Sequence, residues 1–134
     1  MLKHSRVFAV ITALIGLAAC GDDAGTNPTN VSTLSTFSSI QLNVFNPVCA
    51  VSGCHNGTQS PNLNASVSYT NILNVPSSQG LVYILPRNPN NSYLYRKLTG
   101  VNIIGDRMPR GRGPLPQAAL DSIRVWIEKG AQNN

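Results

Sequence analysis

What most restricts this chain is how little of it is left to fold. Behind a basic start holding Lys3, His4 and Arg6, residues 7–19 form a 13-residue run whose only polar side chain is Thr12. That run is too short to anchor as a spanning helix and has the form of a secretory signal. Residues 21–35 (GDDAGTNPTNVSTLS) show no apolar periodicity and read as a flexible tether. The folding unit is then residues 36–134, with its packed part over 36–131. An apolar core of that size is marginal on its own, so something else is expected to help hold it together.

Charge narrows the function classes. The net charge of +5 falls to +3 without Lys3 and Arg6. Residues 20–86 carry only Asp22 and Asp23, and the basic groups are scattered over residues 87–134. A balance this modest excludes a nucleic-acid binder. With 42% hydrophobic residues and low net charge, the chain is not intrinsically disordered either.

The local patterns predict a mostly helical domain without a convincing sheet. Thr36 caps a first helix carrying Phe37, Ile40, Val44 and Val48, and Pro47 breaks or kinks it just before Cys49. Residues 56–66 are turn-rich. A short helix capped by Ser66 buries Val67, Ile72 and Leu73. Residues 81–85 are a brief apolar run. Ser92 caps a helix with Tyr93, Leu94, Tyr95 and Leu98 that stops at Gly100. Residues 100–116 are loop. The clearest element is the last helix, with Pro116 in its first turn, a stripe of Ala119, Leu120, Ile123, Trp126 and Ile127, and Gly130 at its end. Asn88, Asn90 and Ser92 read as turn and cap residues.

The chemistry rests on very few side chains. Beyond residue 20 there is one histidine, His55, one methionine, Met108, and two cysteines, Cys49 and Cys54. A structural zinc site wants four Cys or His ligands. A blue-copper centre wants a second histidine, and iron–sulfur clusters want more cysteines. An exported thiol beside another tends to oxidise, which weakens a Cys–His nucleophilic dyad. Covalent haem attachment uses two cysteines and a histidine directly after the second, commonly spaced C-x-x-C-H. Here the segment is Cys49-Ala50-Val51-Ser52-Gly53-Cys54-His55, and Met108, 53 residues beyond His55, can serve as a remote thioether donor. Cysteines five apart on a regular helix lie about 140° apart, so an irregular backbone around Pro47 and Gly53 is required. Spacing alone leaves open a Cys49–Cys54 disulfide with His55 as a bystander.

Two resemblances extend this reading. The stretch Leu17-Ala18-Ala19-Cys20-Gly21 resembles the lipobox of bacterial lipoproteins. It implies cleavage before Cys20, lipidation of Cys20, and a lipid-held protein at the periplasmic face of the cell envelope. Asp22 is not directly after Cys20, which favours the outer membrane. Residues 36–131 resemble monohaem c-type cytochrome domains of exported bacterial proteins through CAVSGCHNG, YTNILNV, LPRNPNNSYLYRKL, GDRMPRGRGPL and LDSIRVWIEKGA. The resemblance implies a small all-α domain wrapped around one covalently bound haem c, with long loops and with the last helix packed across the first. It makes Cys49 and Cys54 the thioether sites, His55 the proximal ligand and Met108 the distal ligand. The four-residue gap between the cysteines is a minority variant. The implied function is one-electron transfer with redox partner proteins rather than catalysis. Arg107, Arg110 and Arg112, which flank Met108, are candidates for a haem propionate or for docking an acidic partner. The rival readings are a haem-free binding lipoprotein with a Cys49–Cys54 disulfide, and a haem protein with an open sixth position.

Overall fold

The structure is a computed structural model that describes residues 35–134. The signal run, Cys20 and nearly all of the tether lie outside the described residues. Among the described residues four α-helices are present: α1 (Phe37–Ile40), α2 (Ser68–Ile72), α3 (Tyr93–Thr99) and α4 (Gln117–Glu128). A π-helical segment, Gln41–Cys49, continues α1, and a 3-10 turn at Pro89–Asn91 precedes α3. Among the described residues no strand forms. Only two isolated bridges occur, Leu73 with Ile84 in parallel and Pro76 with Val82 in antiparallel fashion. The class is all-α.

Thr36 caps α1 as its sequence predicts, its Oγ1 accepting the Ser39 amide at 3.2 Å. The helix does not break at Pro47. It widens from i→i+4 to i→i+5 hydrogen bonding and runs through the proline to Cys49, closing with the Ala50 amide on the Phe45 carbonyl at 2.7 Å. The cause is local: proline offers no amide proton, and its ring crowds the carbonyl four residues back, here that of Asn43. A wider turn relieves that contact. The buried face changes with the register. Ile40 and Phe45 are buried, as are Val44 and Cys49, pairs five residues apart, whereas Val48 is only half-buried.

The other helices start and stop close to their signals. Ser66 is exposed and caps nothing; α2 starts after Val67, with the Asn64 carbonyl accepting the Val67 and Ser68 amides at 3.0 and 2.8 Å. Ser92 stands at the start of α3 without capping it. Its hydroxyl accepts the Leu85 amide and donates to the Asn88 carbonyl, both at 2.9 Å, so it ties the 81–88 segment to α3 instead. Asn88 takes the capping role for the 3-10 turn, accepting the Asn91 amide at 3.1 Å. Gly100 ends α3 at φ +81°, a left-handed position that a side chain would strain. Pro116 stands just before α4, its carbonyl accepting the Ala119 and Leu120 amides.

The core joins the two ends of the domain. Phe37 packs edge-on to Phe45 and Tyr69, with ring centres 6.3 and 5.0 Å away, and tilts against Trp126 at 5.5 Å. The α4 stripe of Leu120, Ile123, Trp126 and Ile127 is buried as the periodicity predicts. The Trp126 indole donates to the Gln132 carbonyl at 2.8 Å, so its one polar atom is satisfied inside. The Tyr69 hydroxyl donates to the Ala131 carbonyl at 2.9 Å, and the Ser38 amide to the Asn134 carbonyl at 2.8 Å. The first and last helices therefore share one core. Residues 49–63 and 100–116 are left to wrap its other side.

Candidate functional site

The site grows from the C-terminal end of the π segment. Beyond Cys49 the chain makes a tight loop in which Gly53 takes φ +77° and the Cys54 amide reaches the Val51 carbonyl at 3.0 Å. The His55 amide donates back to the Cys49 carbonyl at 3.0 Å, and the Leu63 amide donates to the His55 carbonyl at 2.7 Å. The backbone of His55 is thus fixed on both sides. Its ring is fixed too, with Nδ1 lying 3.0 Å from the Pro61 carbonyl oxygen. A carbonyl only accepts, so Nδ1 carries a proton, and in the neutral ring Nε2 has the lone pair.

A buried side chain braces this arrangement from beneath. The amide nitrogen of Gln41 donates to the Leu63 carbonyl at 2.9 Å and to Asn46 Oδ1 at 2.7 Å. Its carbonyl oxygen accepts from the Ser68 hydroxyl at 2.5 Å. Gln41 and Ser68 are both buried, so the π segment, the segment after His55 and α2 meet in one satisfied polar knot.

Two cavities of about 230 and 250 Å³ adjoin at this point, sharing Cys49, His55, Ser60 and Met108 in their walls. The first is mostly apolar, walled by Phe45, Leu63, Leu94, Leu98 and Ile104, with Tyr83, Tyr93 and Lys97 also on its wall. The second adds Cys54, Arg110 and Arg112. The four residues singled out by chemistry are brought together from the end of the π segment (Cys49), the loop after it (Cys54 and His55) and the 100–116 loop (Met108, 53 residues beyond His55).

Both sulfurs are free thiols, Cys49 buried and Cys54 exposed. Burial pushes the Cys49 thiol up to about 11, and the nearby Cys54 adds to this while Arg112 partly opposes it. Cys49 is therefore a neutral thiol at physiological pH and a poor base or anionic nucleophile.

Met108 sits between solvent and core. Its amide donates to the Lys97 carbonyl at 2.8 Å, which anchors the 100–116 loop to α3, and its side chain packs against the core cluster. The Lys97 ammonium closes the same loop, donating to the Ile104 carbonyl at 3.1 Å and to the Asp106 carbonyl. The three arginines differ. Arg110 forms an exposed ion pair with Asp106 at 3.0 Å, worth little by itself. Arg112 lies close enough to Cys49 to act on its thiol. Arg107 lies with its stem over Gly100, where a Cβ would meet its Cδ at 3.1 Å.

Sequence reasoning missed Pro61, Gln41, Lys97 and the tyrosines. Pro61 had a signal only in the turn-rich character of its segment. The role of Gln41 has no signature, because one polar residue inside a helix pattern looks like a surface position.

The residues present fit a covalently attached haem. An imidazole held through Nδ1 by a backbone carbonyl leaves Nε2 for a metal, the usual support of a ligating histidine. A thioether, two thiols and an apolar wall border the same space. No family model, no curated protein and no solved structure matches the chain.

Proposed function

We propose that this chain is a monohaem c-type cytochrome, an extracytoplasmic one-electron carrier held at a membrane surface through a lipid on Cys20. The observation that carries this reading is the convergence of Cys49, Cys54, His55 and Met108 on two adjoining cavities, with the His55 ring held by the Pro61 carbonyl. In this reading Cys49 and Cys54 would hold the haem through thioether bonds, and His55 and Met108 would be its iron ligands. Bound there, haem supplies an iron that gains and loses one electron.

The chain's own residues do the rest. The Pro61 carbonyl fixes the tautomer and orientation of His55, so its ring would be preset as a ligand. Phe45, Leu63, Leu94 and Leu98 give the first cavity an apolar wall, which would favour the less charged state. The Met108 thioether, as the second protein ligand, would raise the potential relative to other ligand pairs. Arg110 and Arg112 place positive charge at the rim of the second cavity. A small transient interface with an acidic partner, below about 1,200 Å² of buried surface, suits such a rim.

The test is chemical. Protein made in a host with haem-attachment machinery is run on a denaturing gel and stained for haem peroxidase activity, which only covalent haem survives. The reading expects a stained band that is lost in a double Cys49→Ser, Cys54→Ser variant. An unstained wild-type band, with Cys49 and Cys54 joined by a disulfide, contradicts it and favours a haem-free binding protein.

A further inference from the structure

The five-residue step between the cysteines is incompatible with two attachments from a regular α-helix, yet both side chains border one cavity here. The explanation lies upstream of the cysteines. In an α register, Val48 continues the stripe of Ile40 and Val44, and Cys49 follows about 100° further round. In the structure the order is exchanged: Cys49 is 8% exposed and lines both cavities, while Val48 is half-buried and reaches only the second. The exchange follows from i→i+5 hydrogen bonding over Gln41–Cys49, which places Cys49 after Val44 and Phe45 after Ile40. Pro47 lies inside the segment and opposes an α register through the crowding of its ring against the Asn43 carbonyl.

We infer that Pro47 is the positioning residue for Cys49: by holding the wide register, it turns the first thiol into the cavity and makes a C-x4-C segment competent for two thioether bonds. This deepens the proposed haem reading and rests on it. The covalent step is an addition. The sulfur of Cys49 bonds to a vinyl carbon, the thiol hydrogen ends on the other carbon of that vinyl group, and nothing leaves. No oxidant is required. Pro47 lines neither of the cavities that His55 and Met108 border, so iron ligation and the number of sulfur attachments are separable.

The test compares the full-length wild type with Pro47→Ala, each made with haem-attachment machinery. The alkaline pyridine spectrum reads thioether number, because each unreacted vinyl group shifts the reduced band to longer wavelength. A Cys49→Ser variant supplies the single-attachment reference. The expected result is two attachments in wild type and loss of one in Pro47→Ala, whose spectrum shifts to that of Cys49→Ser while covalent haem staining persists through Cys54. Pro47→Ala with Val51 and Ser52 also deleted restores the three-residue step that an α register accepts, and regains two attachments. A Pro47→Ala spectrum identical to wild type overturns the inference. So does a loss that the deletion does not repair, since the cause is then not register. Wild type without covalent haem overturns the haem reading itself, an outcome distinct from either.

Discussion

Replacing Gln41 with leucine probes the framework around His55 without touching a proposed ligand. Leucine matches glutamine closely in volume, so no cavity opens. What is lost is three hydrogen bonds. The Asn46 carbonyl oxygen is on an exposed residue and regains water. The Leu63 carbonyl and the Ser68 hydroxyl, in contrast, stay buried on buried residues and lose a partner each. An orphaned buried polar group costs about 1–3 kcal/mol, and the added apolar surface returns part of this, so the net loss is about 3 kcal/mol. For a domain of this size that is a fall in melting temperature of roughly 15 °C. Urea unfolding followed by tryptophan fluorescence gives the value directly, since Trp126 is the only tryptophan and is buried. Adding Ser68→Ala removes one of the two orphans and is expected to recover about 1 kcal/mol. A Gln41→Leu change below about 0.5 kcal/mol, or strictly additive losses in the double variant, refutes the knot as a structural brace.

Four further outcomes follow from the same geometry. The folded state holds the Cys49 thiol at about 11 against an ordinary 9.0. A thiol pKa raised on folding means stability is full below pH 9 and falls as pH rises toward 11, by up to about 3 kcal/mol. Unfolding from pH 8 to 11 is expected to show that loss in any preparation with a free Cys49 and not in one with Cys49 in a thioether. Met108→Ala is expected to keep covalent haem but lose the ferric methionine–iron absorption band and lower the potential; an unchanged band assigns the sixth position elsewhere. Neutralising Arg107, Arg110 and Arg112 together is expected to slow reaction with an acidic redox partner several-fold at low salt and to flatten its salt dependence. Rates that stay as salt-dependent as wild type contradict the docking patch. Trp126→Ala, which empties the centre of the shared core, is expected to cost about 3–5 kcal/mol by chemical unfolding.

Elements whose signal is local were legible in the sequence. The Thr36 cap, the Gly100 stop and the Leu120–Ile127 stripe each follow from one side chain or one periodicity, and each is found as expected. Ser66 and Ser92 have the right chemistry for caps and do not cap. Ser92 is instead fully buried among the Leu85 and Asn88 backbone groups, a contact set by tertiary packing. Pro47 signalled an interruption, and the structure replaces a break with a change of register. A 3.6-residue period therefore selects Val48 where the wider helix selects Cys49. At the site, rarity made four residues visible: a chain with one histidine and one methionine beyond residue 20 leaves little choice. The supports stayed hidden because the Pro61 carbonyl and the Lys97 contacts involve backbone oxygens, which every residue carries.

The most direct measurement of the central claim is the absorption spectrum, oxidised and then reduced, of purified full-length protein made with haem-attachment machinery, paired with the intact mass of the unfolded chain. A sharp reduced two-band spectrum, with one haem mass retained after unfolding, is the result the account predicts. A colourless protein whose mass shows only the loss of two hydrogens at Cys49 and Cys54 contradicts it.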